Sequence, residues 1–264
     1  MNHHDDHDSG IYDLGLAADF KMWNRKPVER RRVLQLGLVA AGALLTGCAT
    51  DAQGQGGGEI PAETAGPFPA DGSRNVNVLK RSGIVRSDIT TSLETGNVAA
   101  GVPLTLDLQL HQAGDESTPL VGYAVYLWHC DREGRYSMYS DGVTGEDYLR
   151  GVQATDGEGK LSFTSVFPAC YPGRWPHAHF EIYESLDTAM SAANIIHTSQ
   201  LAFPEDVCAT VYDTAGYEQS IRAFSRVSLE TDGAFRDGVS EQMTTVTGSA
   251  EAGYAASLSF GVQA

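Results

Sequence analysis

The sequence predicts an all-β fold, an antiparallel β-sandwich with long loops, and three observations lead there. Apolar and polar residues alternate over short runs, turns rich in Gly, Asp and Pro separate the runs, and helical periodicity is almost absent. The clearest run is Val102, Leu104, Leu106, Leu108 and Leu110, interleaved with Pro103, Thr105, Asp107, Gln109 and His111. Side chains alternate across a strand, so this one buries one face and wets the other. A second strand is expected from about Gly122 to His129. A third, Lys160 to Phe167, follows the turn Asp156-Gly157-Glu158-Gly159. The fourth is His177 to Tyr183, with Ala178, Phe180 and Ile182 facing one side and His177, His179, Glu181 and Tyr183 the other. Helical turns are expected only at Leu186 to Ala193 and Tyr217 to Phe224, and no internal repeat is visible.

The amino terminus reads as targeting sequence rather than fold. Arg30, Arg31 and Arg32 precede an apolar stretch, Val33 to Leu45, that ends in Leu45-Thr46-Gly47-Cys48. This resembles a bacterial lipoprotein signal peptide whose cysteine is acylated after cleavage, and the paired arginines resemble a twin-arginine export signal. The stretch is shorter than the ~20 residues that a bilayer-spanning helix needs. We therefore expect a signal peptide over residues 1–47, with Met22 an alternative start, a flexible linker over 48–60 rich in Gly, Gln and Ala, and a β-sandwich domain over 61–264. The expected location is the cell envelope, lipid-anchored to the membrane through Cys48.

The 264 residues carry a formal charge of −16, and removing residues 1–47 leaves that charge unchanged. An acidic domain excludes nucleic acid as partner, because a phosphate backbone is bound by a basic surface. Cys130, Cys170 and Cys208 would face an oxidising compartment, and a Cys130–Cys208 disulfide with one buried thiol is the expectation.

Chemistry concentrates in Tyr171-Pro172-Gly173-Arg174-Trp175-Pro176-His177-Ala178-His179 and the preceding Gly134-Arg135-Tyr136 turn. Two histidines two apart on a strand point the same way and make half a metal site. Tyrosine has a pKa near ~10, so it binds only an ion acidic and hard enough to take its proton. That selects Fe(3+) over zinc or a ferrous site built from two His and one carboxylate.

These residues, with Thr64-Ala65-Gly66-Pro67-Phe68, the strand through Trp128 into Asp131-Arg132-Glu133-Gly134-Arg135-Tyr136, and Thr155-Asp156-Gly157-Glu158-Gly159, resemble the intradiol ring-cleavage dioxygenases, the protocatechuate 3,4-dioxygenase and catechol 1,2-dioxygenase type. The resemblance runs from about Pro61 to Asp206. It implies that Tyr136, Tyr171, His177 and His179 are ferric ligands, Tyr171 being the phenolate that leaves when substrate chelates. It implies that Arg174 sits over the substrate ring, and that Gln200, in a Gln-Leu-x-Phe segment, hydrogen-bonds near the site. The implied reaction takes a catechol and O2 to a cis,cis-muconate-type diacid with no external reductant. Ala178 and Phe68 depart from the family's usual residues, and the mature chain lacks the long helical amino-terminal region of the catechol-type dimers. Trp128 and Trp175 read as core or pocket wall, and His111, His129 and His197 as structural. Two rivals stay open: a cupin-like metalloenzyme, since Glu184 follows the histidine pair, and a non-catalytic, membrane-tethered β-sandwich that binds a ligand. The natural catechol and the oligomeric state, homo-oligomer included, stay open too.

Overall fold

A computed structural model describes residues 58–264; the expected signal peptide, Cys48 and most of the linker lie outside them. The strands are β1 (Pro103–Gln112), β2 (Asp115–Pro119), β3 (Ala124–Trp128), β4 (Arg150–Ala154), β5 (Lys160–Val166), β6 (His177–Tyr183), β7 (His197–Ala202), β8 (Thr245–Ser249) and β9 (Gly253–Val262). Two short helices, α1 (Glu205–Tyr212) and α2 (Glu218–Phe224), and 3-10 turns at Ala192–Asn194 and Leu229–Thr231 complete the regular structure among the described residues. No helix among them is long and apolar enough to cross a membrane.

The strands form two sheets. One has the order β2-β1-β9-β8, with β5 also paired to β1; the other runs β4-β3-β6-β7. The second is antiparallel throughout, but β1 pairs with β9 in parallel, from Leu104 opposite Tyr254 to Gln112 opposite Val262. The fully antiparallel expectation is corrected there. A parallel pair needs a long crossover, and here the chain between β1 and β9 includes the whole second sheet.

The core lies between the sheets. Leu104, Leu106, Leu108 and Leu110 of β1 and Ala256, Leu258 and Phe260 of β9 meet Val125 and Leu127 of β3, Phe180 and Ile182 of β6 and Leu201 of β7. Each large side chain so buried contributes about 1.5–3 kcal/mol. The other face of the second sheet is covered as well. Ala124, Tyr126 and Trp128 pack beneath loops that carry Phe68, Ala70, Val78, Tyr136 and Tyr139. Every residue of β3 and β6 is therefore buried, including polar side chains that alternation alone would leave in water. The histidine pair belongs to this loop-covered face.

Turn chemistry fixes the connections. Asp156 Oδ1 accepts the backbone N–H groups of Glu158 and Lys160 at 2.8 and 2.9 Å. Gly159 completes that turn at φ +73°, and a Cβ there would stand 2.3 Å from the Leu110 carbonyl oxygen. Only glycine meets both demands.

Other expectations are corrected. The linker ends before Ile60, which is 1% exposed and donates its N–H to the Gly261 carbonyl at 2.9 Å. Helix α1 was unforeseen; Pro204 presets its entry, and Glu205 and Asp206 complement its amino end. Cys130, Cys170 and Cys208 are free and buried, so no Cys130–Cys208 bridge forms. Cys130 and Cys208 instead aim their thiols at the carbonyls of Ala169 and Phe203.

Candidate metal centre

Strand β6 supplies the first half of the site. His177 and His179, each 2% exposed, bring their Nε2 atoms to 3.1 Å of one another. His177 Nδ1–H donates to the Trp175 carbonyl at 2.5 Å, which leaves Nε2 as a bare lone pair aimed inward. His179 stands directly opposite Trp128 in the β3–β6 register, and the two rings stack at 5.0 Å and 5°. Tyr126 continues the stack on Trp128 at 4.9 Å. Pocket wall is thus too weak a reading of Trp128, which fixes the plane of the His179 ring.

Two loops supply the phenols. Asp131 Oδ1 accepts the N–H groups of Glu133 and Arg135, Gly134 turns at φ +82°, and Tyr136 swings over the sheet. Phe68 packs against its ring at 4.9 Å. Tyr171 comes from the segment entering β6, where its carbonyl accepts the Arg174 N–H at 3.2 Å. Tyr136 Oη lies 3.3 Å from His179 Nε2 and 3.3 Å from Tyr171 Oη, and Tyr171 Oη lies 3.1 Å from His177 Nε2. Four donor atoms thus close a ring.

Such a ring fits one ion. Metal–ligand bonds of about 2.0–2.1 Å at angles of about 90–110° set donor atoms about 2.9–3.4 Å apart, and these contacts span 3.1–3.3 Å. Burial, then the charge of Arg174, holds His177 well below its usual pKa; burial, then His177, does so for His179. Both are neutral, as ligation requires. Burial, then the neighbouring Tyr171, pushes the Tyr136 phenol well above its ordinary value. Only a strongly charged cation would take that proton, and two phenolates suit a trivalent one. Glu184, the carboxylate that a cupin-like set would place beside the histidine pair, is exposed, whereas His177 and His179 are buried.

Charged and amide groups surround the ring. Arg174, 2% exposed, donates Nε to Asp232 Oδ2 at 3.0 Å and Nη2 to Gln200 Oε1. Gln200 sits opposite His179 in the β6–β7 register and donates Nε2 to the Thr64 carbonyl at 2.9 Å. Gln242 Nε2 reaches both the Gln200 carbonyl at 3.1 Å and Glu63 Oε1 at 3.4 Å. Burial, then Asp237, pushes the Glu63 carboxyl up to about 8. The structure therefore gathers every predicted site residue: Tyr136, Tyr171, Arg174, His177, His179 and Gln200. It adds Trp128, Glu63, Asp232 and Gln242, of which the last three stand outside any recognisable motif.

Exposure separates the donors. Tyr136, His177 and His179 are each 2% exposed, whereas Tyr171 is partly open to solvent. A cleft of about 620 Å³ flanks it, lined by Pro172, Gly173, Glu133, Arg222 and Arg226 among others.

The family model described as Dioxygenase matches residues 80–209. Chlorocatechol 1,2-dioxygenase of Rhodococcus opacus is 27% identical over 89 residues, 30% of this chain and 35% of that protein. Catechol 1,2-dioxygenase 2 of Acinetobacter lwoffii is 34% identical over 67 residues, 25% of this chain and 24% of that protein. The chain thus spans only 35% and 24% of the length of these curated relatives. An intradiol ring-cleavage dioxygenase from Tetranychus urticae superimposes with a TM-score of 0.56 at 26% identity, over 67% of this chain and 86% of that one. Tyr136, Tyr171, His177 and His179 all lie inside the matched segment; Glu63, Asp232 and Gln242 lie outside it.

Proposed function

We propose that this chain is an intradiol ring-cleavage dioxygenase that opens a catechol-type ring with O2 to a cis,cis-muconate-type diacid, using non-haem Fe(3+), a reading supported by the family match over residues 80–209 and by the similarities given above. The observation that carries this reading is the closed ring of two phenol oxygens and two imidazole nitrogens at 3.1–3.3 Å. Tyr136, Tyr171, His177 and His179 would hold the ion. When bound, it would draw electron density from a chelated catecholate and open a ring carbon to O2.

The chain's own residues divide the remaining tasks. Tyr171, the donor open to solvent, would give way to the incoming diol; its phenolate oxygen would take one of the diol's two protons and the other would pass to water in the adjoining cleft. Tyr136 stays, boxed in by Phe68 and the buried sheet. Arg174 puts a fixed positive charge beside the reacting ring, where anionic character develops. Gln200 holds that guanidinium from the β7 side. Trp128 and Phe68 exclude water and hold the donors still, so little reorganisation accompanies the reaction.

The natural home we propose is the envelope, with a signal peptide over residues 1–47, a tether after it and a lipid anchor at Cys48. Mass spectrometry of the mature protein tests this, and an unmodified Cys48 or retained upstream residues would overturn it. For the reaction, iron-loaded protein is scanned in the visible range and assayed for oxygen uptake against a catechol panel. A reddish ferric-tyrosinate absorption and ring-opened diacid are expected. Bound iron with no oxygen consumed by any catechol would sink the reaction and leave the tethered binding module.

A further inference from the structure

We propose that Asp232 is the positioning residue for Arg174: a carboxylate from beyond the matched dioxygenase segment that sets the orientation of the site's only cation-bearing side chain of assigned role. The inference rests on the reading of the site as an intradiol centre. It starts from a buried charge. Arg174 is 2% exposed and Asp232 is 0% exposed, so the guanidinium's partner is chosen by the fold rather than by solvent.

The Asp232 carboxylate accepts four hydrogen bonds from described residues. Oδ2 accepts Arg174 Nε at 3.0 Å and the Trp175 backbone N–H at 2.6 Å. Oδ1 accepts the backbone N–H groups of Ala234 and Phe235 at 2.7 and 3.1 Å. The second pair locks the carboxylate in its own loop, just after the 3-10 turn Leu229–Thr231, whose Ser228 and Thr231 cap each other. The first pair transmits that position to the site. Charge-assisted bonds to Nε fix both the tilt and the reach of a guanidinium, and a neutral amide alone does not. Gln200 Oε1 takes the opposite edge at Nη2. Asp232 and Gln200 thus hold the cation from two sides.

Asp232 also acts on a metal-site residue through one peptide. The residue whose N–H it grips, Trp175, is the one whose carbonyl accepts His177 Nδ1–H. Phe235, from the same loop, stands edge-on to the His177 ring at 6.5 Å. A loop with no catalytic motif therefore aims both the arginine and one imidazole. A purely structural carboxylate would close its loop just as well without reaching across to Arg174.

The test is a double-substitution cycle on the iron-loaded full chain, using Asp232→Asn, Asp232→Glu, Arg174→Gln and the Asp232→Asn, Arg174→Gln pair. Two quantities are read: anaerobic affinity for catechol, which needs no turnover, and kcat for oxygen uptake. Asp232→Asn alone is expected to weaken anaerobic binding about tenfold and to lower kcat about a hundredfold, the scale of a misaimed or lost oxyanion partner. Asp232→Glu, which keeps the charge, is expected to recover most of both. In the Arg174→Gln background, Asp232→Asn is expected to cost less than threefold more, because a residue that acts through another has nothing left to position. Equal losses with and without Arg174 would overturn the proposal, as would wild-type affinity in Asp232→Asn. If Asp232→Asn does not fold, the same cycle is run with Asp232→Ser, which also removes the charge, and is judged by the same non-additivity. Iron-loaded wild type that binds catechol anaerobically but consumes no oxygen would defeat the proposed reaction, while the binding cycle would still decide the role of Asp232.

Discussion

Among single residues, the donors of the ring are set apart by burial. Tyr136 has no route to water and a phenol whose proton burial makes hard to remove, so its substitution should be felt at the metal rather than in substrate entry. Tyr136→Phe is expected to lower iron retention at least about tenfold and to weaken the visible tyrosinate absorption; unchanged iron content per chain, measured by elemental analysis, would count against the site. Glu63 carries a different signature. Its carboxyl is pushed from 4.5 to about 8 in the folded chain, so the folded state holds the extra proton between those values. Stability is therefore fullest below about pH 4.5 for this group and is lost as pH rises through about 8. Glu63→Gln, which mimics the protonated form, should flatten that part of the slope. Urea midpoints from pH 5 to 9 check it, and parallel curves for variant and wild type would refute it.

The elements show what the amino-acid pattern could and could not reveal. Strands β1 and β6 were legible because their alternation is strict, and β6 keeps the predicted boundaries His177–Tyr183. The turn before β5 was legible because Asp156 and Gly159 leave few alternatives, and Gly159→Ala is expected to cost at least about 2 kcal/mol, since it adds both backbone strain and a clash. Thermal melting checks this, at about 2–4 °C per kcal/mol for a chain of this size. In the core, Leu106→Ala, fully buried between the sheets, is expected to lose about 2–5 kcal/mol with no change in iron binding. The strands that escaped notice explain themselves. Strand β9 alternates over Ala255, Ser257 and Ser259 on its outer face, small residues without strong strand preference, and its parallel partner is a hundred and more residues away in sequence. Strand β2, Asp115-Glu116-Ser117-Thr118-Pro119, is too polar to be read as a strand at all. That Tyr136, Tyr171, His177 and His179 would come together was legible because the four residues fall into two compact motifs. Glu63, Asp232 and Gln242 were not, because only tertiary folding brings positions 63, 174, 200, 232 and 242 together, and an acid or amide in a loop looks the same in sequence whether it meets water or a buried guanidinium.

At the scale of the whole molecule, the two central strands of the second sheet, β3 and β6, are buried throughout, so the ring of candidate donors is assembled on a rigid support. Loading iron should stabilise the fold, because the ring exists only when loops and sheet are joined. A raised melting temperature on iron loading, reversed by a chelator, is the expected result, and none is expected for a variant lacking both His177 and His179. A last consequence follows from where the chain enters. Glu59 bridges to Gly261 and Ile60 is pinned to the same residue at the end of β9, and only four residues further on Thr64 grips Gln200. A pull on Glu59 would thus load the paired end of β9 before it reached Thr64. The junction at Gly261 would act as a strain relief for the candidate site.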